Sequence, residues 1–89
     1  MYLLERQRKI LGLLLANEQR MTGSQIAQMI GITDRTVRND IKDLNEGLKE
    51  YPDSYVESIR GKGYLLVSKH KEELLKQVEQ SNSNETTKG

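Results

Sequence analysis

Apolar positions in the first stretch of the chain recur with helical spacing. Leu3, Ile10 and Leu14 form one row, Leu4, Leu11 and Leu15 the next, and Leu13 widens the face. Positions three, four and seven apart share one side of a helix, so the pattern predicts a helix from Leu3 to Asn17. The polar block Glu5-Arg6-Gln7-Arg8-Lys9 is expected on its outer turns. Gly12 costs about 1 kcal/mol against Ala inside a helix, which suggests close approach by a neighbour. A second helix begins at Thr22, where Thr22 and Gln25 have the spacing of a reciprocal cap, with Ile26, Met29 and Ile30 as its buried face. Gly31 supplies a left-handed stop. Thr33 then caps a third helix, with Asp34 well placed in its first turn and Val37, Ile41, Leu44 and Leu48 running a continuous stripe. Two helices joined by so short a turn make a helix-turn-helix.

Past Pro52-Asp53-Ser54 the period drops to near two. Tyr55 to Arg60 and Tyr64 to Val67 read as short strands around Gly61-Lys62-Gly63, a tight hairpin with a cationic tip. Residues 19–22 offer a weak third strand. After Ser68, Leu74, Leu75 and Val78 stripe a short helix from His70 to Gln80, too short to stand alone and so expected to dock on its own domain or on a second copy. The remaining residues, 81–89, hold nothing to bury and are expected to be disordered. The predicted fold is α+β, mainly α: a winged helix-turn-helix with a three-helix core, a β-hairpin wing and an extra short C-terminal helix. Its expected divisions are residues 1–68 for the winged unit, 69–80 for the C-terminal helix or linker, and 81–89 for the tail. The expected apolar centre includes Ile10, Leu14, Ile26, Ile30, Val37, Ile41 and Leu44, because the three stripes and the hairpin can bury their faces only against one another.

Composition narrows the chemistry. Cysteine is absent and His70 is the single histidine, which removes disulfides, thiolate metal sites, cysteine nucleophiles and most imidazole chemistry. The acidic pairs Glu72-Glu73 and Asp40/Asp43 lack His or Cys companions, so no metal or other cofactor is expected. No Gly-rich phosphate loop and no nucleophile–base pair occurs, and an enzyme is not expected. No apolar run approaches the ~20 residues that cross a bilayer, and the N-terminus lacks the apolar core of a signal peptide, so no membrane partner and a cytoplasmic location are expected.

The net charge of +1, from 14 Lys and Arg against 13 Asp and Glu, hides its distribution. At about 100° per residue, Arg35, Arg38, Lys42 and Lys49 share an arc of roughly 60° facing away from the apolar seam of the third helix. Asn39 borders that arc, while Asp40 and Asp43 turn to the other flank. Arg and Asn are the residue types that read guanine and adenine edges in a major groove. Arg60 and Lys62 add cations at the hairpin. Such residues can equally be solvated charge, and a glycine-flanked lysine can be no more than a turn. Their conjunction on the second helix of a helix-turn-helix followed by a basic hairpin favours double-stranded DNA. Arg38 and Asn39 are then expected near base edges, with Thr33, Arg35, Lys42 and Lys62 nearer phosphates.

The run from Ile26 to Asn45 (IAQMIGITDRTVRNDIKDLN) resembles the winged helix-turn-helix of bacterial sugar-pathway regulators, with Arg8-Lys9-Ile10-Leu11 opening the pattern and the run from Ser58 to Leu66 (SIRGKGYLL) closing it. Thr36-Val37-Arg38-Asn39-Asp40-Ile41 is similar to a DeoR-like recognition helix. The ending Arg60-Gly61-Lys62-Gly63-Tyr64-Leu65 departs from DeoR proteins. It is closer to transcriptional regulators of the BglG/mannitol-regulator type and is also similar to biotin repressor-like domains. The resemblance spans residues 3 to 67. It implies that Arg35, Thr36, Arg38, Asn39 and Lys42 occupy recognition-helix positions and Lys62 the wing tip. It also implies an N-terminal fragment of a longer regulator whose phosphotransferase-system domains would hold the phosphorylatable histidines and most dimer contacts. The fragment is then expected to be monomeric or weakly dimeric and the whole protein a homodimer. A winged helix used for protein contact remains an alternative, since fold alone does not settle function. RNA binding of the antitermination kind is a further one, disfavoured by the scarcity of aromatics for base stacking.

Overall fold

The computed structural model describes the backbone of residues 3–88 and the side chains of residues 3–79. The described residues form α1 (Glu5–Ala16), α2 (Gly23–Ile30), α3 (Asp34–Leu48), β1 (Tyr55–Ile59), β2 (Gly63–Val67) and α4 (Lys71–Lys88). Local chemistry sets most of these limits. Thr22 caps α2 by accepting from the Gln25 amide at 3.1 Å, and the Gln25 side chain accepts from the Thr22 amide at 2.9 Å. Gly31 ends α2 at φ +82°, its N–H donating to the Ala27 carbonyl at 2.8 Å. That left-handed residue lets the chain reverse within a few residues. Thr33 then starts α3, its hydroxyl accepting from the Thr36 amide at 3.1 Å.

The apolar stripes meet in one core. Ile10, Leu11 and Leu14 of α1, Ile26 and Ala27 of α2, and Val37, Ile41, Leu44 and Leu48 of α3 are buried together with Met21, Val56, Leu66 and Leu74. Leu74 brings α4 into this core against α1. Val78 of α4 lies 3.9 Å from where a Cβ on Gly12 would stand, an ordinary contact. The neighbour expected beside Gly12 is therefore α4, although the spacing leaves room for an alanine.

The hairpin is antiparallel, with Val56 paired to Leu66 and Ile59 to Gly63 across the loop Arg60-Gly61-Lys62. Alternation turns Val56 and Leu66 inward. The expected third strand is reduced to an isolated bridge: Met21 and Tyr64 exchange both backbone hydrogen bonds, at 2.9 and 2.7 Å. This bridge requires glycine at position 63. Gly63 has φ +104°, and an added Cβ would stand 2.3 Å from the Met21 carbonyl oxygen. Three helices with a hairpin bridged back to the α1–α2 loop constitute a winged helix-turn-helix.

Several positions depart from the pattern read along the chain. Met29 is 62% exposed, because the α2 face is centred on Ile26, Ile30 and Ala27 and Met29 falls beyond its edge. Ile30 itself packs only half-buried at the margin of the core. Gln7 is buried despite its place in a polar block. It precedes Ile10, Leu11 and Leu14 by three, four and seven residues and so lies on their face. Helix α4 runs to Lys88, past the expected stop at Gln80 and through positions expected to be disordered. No Gly or Pro interrupts the chain between positions 71 and 88, so a helix anchored at Leu74 meets no breaker there. Residue 89 of that expected tail lies outside the described residues. His70, expected in solvent, is half-buried with its ring 6.1 Å from that of Tyr51.

Candidate nucleic-acid interface

The position of α3 follows from what holds each of its sides. Its apolar seam is buried, and the flank carrying Asp40 is tied to α1. Asp40 is 2% exposed. Arg6 donates to it through both Nε and Nη2, the latter at 3.0 Å to Oδ1. Gln7 donates to Asp40 at 3.4 Å and to Asp43 at 3.0 Å, while its own oxygen accepts from the Leu4 amide at 3.1 Å. The hydrogen bond from Arg6 to Asp40, reinforced by their opposite charges, raises the Arg6 pKa above its usual value. On the wing side, the Asn45 side chain ties α3 to β1. It accepts from the Val56 N–H at 2.7 Å and donates to the Val56 carbonyl at 3.4 Å. Arg20 holds the other end of the hairpin, pairing with Glu57 and donating to the Gly63 carbonyl at 3.3 Å.

The remaining side of α3 points to solvent. Thr33, Arg35, Arg38, Asn39 and Lys42 are exposed, and Thr36 is half-buried. The Thr33 and Thr36 hydroxyls lie 2.9 Å apart within the helix cap. Arg60 and Lys62 are exposed at the wing tip. Among the described residues, none of these five cations (Arg35, Arg38, Lys42, Arg60, Lys62) forms an ion pair, whereas Arg6, Lys9, Arg20 and Lys49 do. Lys49, on the same arc by helical angle, is taken up by Glu46 at 3.0 Å.

Predicted residues border two surface depressions. Arg38 and Arg60 border a single open groove of about 660 Å³, floored by the N-terminus of α2 and walled by Tyr64 and the wing. Asn39 and Lys42 border a separate shallow depression that they share with Asp43, Asn45 and Glu46. The arrangement can accept a polyanion along one edge of α3 and offers Asn39 beside acids on the other. Among the described residues, no group of three or more His, Cys, Asp or Glu could hold a metal ion. No helix among them is long and apolar enough to cross a membrane.

Arg6, Gln7, Arg20 and Asn45, which hold this interface in place, were not identified from sequence. Asn45 had a usable signal, since on the α3 wheel it falls directly beside Ile41 at the edge of the apolar seam. The Arg20–Glu57 pair joins residues 37 positions apart and had no local signal.

A helix-turn-helix with an exposed, unpaired basic edge and a hairpin wing defines the class of protein. The chain matches the HTH domain family over residues 6–65 and belongs to it. It is 48% identical over 61 residues to the probable licABCH operon regulator of Bacillus subtilis (strain 168). The match covers 68% of this chain and 9% of that relative's length, so the chain spans about a tenth of the longer protein. No solved structure matches it.

Proposed function

We propose that this chain binds double-stranded DNA sequence-specifically, as the N-terminal domain of a bacterial transcriptional regulator of sugar (phosphotransferase-system) genes. The observation that carries the reading is the contrast in ion pairing. Arg35, Arg38 and Lys42 on the outer side of α3, with Arg60 and Lys62 on the wing, are exposed and unpaired among the described residues. The name of the Bacillus relative supports the regulatory role, and the resemblance to BglG/mannitol-regulator proteins supports the sugar-gene context.

In this reading α3 enters the major groove N-terminal end first, with Arg38 and Asn39 at base edges. Thr33, Arg35, Thr36 and Lys42 lie nearer the backbone, and Arg60 and Lys62 reach the adjacent phosphates. The DNA-binding unit is residues 1–68. The chain acts as a binding module rather than an enzyme and works in the cytoplasm. One copy presents one such face, so useful affinity requires two copies on a repeated site, supplied by homodimerisation of the whole regulator.

Titration of a selected duplex with the 89-residue chain at increasing salt tests this. Engagement of about four to six phosphates gives a log K against log salt slope of roughly −4 to −5. Absence of duplex binding at low salt would remove the reading in favour of a protein-contact module.

A further inference from the structure

One acid stands at the basic edge of α3. Asp34 is the first residue of α3 and is exposed, and it borders the same groove as Arg38 and Arg60. Its Oδ2 accepts from the Ser24 hydroxyl at 3.1 Å, a bond that crosses the turn between α2 and α3 and orients the carboxylate. Its Oδ1 has no partner among the described residues. Neither Arg38, one turn further along, nor Arg35 pairs with it. A carboxylate can only accept hydrogen bonds, and phosphate oxygens offer it nothing but repulsion.

We propose that Asp34 determines base specificity, its free oxygen accepting from the N4 amino group of a cytosine in the major groove. The proposal rests on the DNA-binding reading above and deepens it. Two bases present an amino donor in that groove. Adenine sets its N6 beside the N7 acceptor, which suits an amide such as Asn or Gln and repels a carboxylate, whereas cytosine presents its N4 amino group without that acceptor. The N-terminal residues of a recognition helix are those that meet base edges, and Asp34 precedes every other residue of α3. Arg38 lies four residues on, about 6 Å along the helix axis, which corresponds to one or two base steps at about 3.4 Å each. An Asp34–cytosine contact and an Arg38–guanine contact therefore fit neighbouring or next-neighbouring base pairs. The Ser24 hydroxyl is the positioning group, because it engages Oδ2 and leaves Oδ1 of this exposed side chain free to accept.

The test is selection from randomised duplexes with the wild-type 89-residue chain, Asp34→Asn, Ser24→Ala and Arg38→Ala, each first shown by thermal melting to be folded. The wild type is expected to enrich a cytosine one or two base pairs from the position that Arg38→Ala relaxes. Asp34→Asn should lose that cytosine preference about tenfold and keep the others. Ser24→Ala should weaken the same preference with no change of charge, a readout that a purely helix-capping role would not move. An unchanged cytosine preference in Asp34→Asn would overturn the assignment. So would an affinity gain equal for all sequences, which would mark Asp34 as a repulsive charge only. A wild type that binds duplexes and enriches no cytosine there overturns it while leaving DNA binding intact. A wild type that binds no duplex overturns the underlying reading as well.

Discussion

The two flanks of α3 both carry charge and use it in opposite ways. On the α1 side, charge is consumed internally: Asp40 is buried under Arg6 and Gln7, and Asp43 takes the second bond from Gln7. On the solvent side Arg35, Arg38 and Lys42 have no ionic partner among the described residues. A helix whose charges nearly cancel in sum is thus a laterally polarised element: helical angle separates its acids from its cations, and pairing takes up the acids. The difference teaches that an acid within a basic-looking helix can be part of its mounting. Exposed ion pairs contribute little, about 0–1 kcal/mol. The stability of this mounting therefore comes chiefly from the buried seam and from the partners of the buried polar groups.

The sharpest way to break the comparison is to strike the seam between the flanks. Ile41→Ala should cost roughly 2–5 kcal/mol of stability, by removing buried apolar volume from the centre of the core. Denaturant unfolding measures it, and a loss under about 1 kcal/mol would contradict the packing described. Asn45→Ala should cost about 1–3 kcal/mol, since it strips the Val56 N–H and carbonyl of their partner in a partly buried setting. Amide exchange should show the end of β1 near Val56 opening first.

The solvent flank should respond in the other currency. Arg38→Ala should leave unfolding within about 0.5 kcal/mol of wild type, yet cost about 1–3 kcal/mol in binding a selected duplex and relax preference at one base position. If stability fell and binding did not, the assignment of the two flanks would be reversed. Lys62→Ala carries the smallest expected effect. It should weaken all sequences alike and make the log K against log salt slope shallower by about one unit. If Arg38→Ala and Lys62→Ala both bound as well as wild type, the groove-and-wing arrangement would fail.

The order and character of the elements were legible in the chain because they depend on neighbours in sequence. Thr22 and Gln25, Gly31 and Thr33 act within a turn of themselves, and the seam Val37, Ile41, Leu44 and Leu48 repeats at the helical period. The exposure of Arg38 and Lys42 followed from the same angle. The exposure of Met29 is not carried by the period, which gives a stripe without its centre, and only the packing of α1 and α3 on α2 decided which edge of that stripe met solvent. The polarity of Gln7 hides its place on the apolar face, and its burial becomes favourable only once Asp40 and Asp43 are brought to it from α3.

What the sequence determined by itself was the course of the three core helices, the caps at Thr22 and Thr33 and the turn at Gly31, all set by interactions spanning a few residues. What only the tertiary structure decided was which charges remain available. Arg6 and Arg20 are the same residue type as Arg38, but Asp40 lies 34 positions from Arg6 and Glu57 lies 37 from Arg20. The physical reason is that a charge is neutralised by whatever the fold brings within a few ångströms, and a linear pattern does not carry that distance. The grouping of Arg38 with Arg60, and the bridge of Tyr64 to Met21 that demands Gly63, arise in the same way from the return of the hairpin onto the helical core.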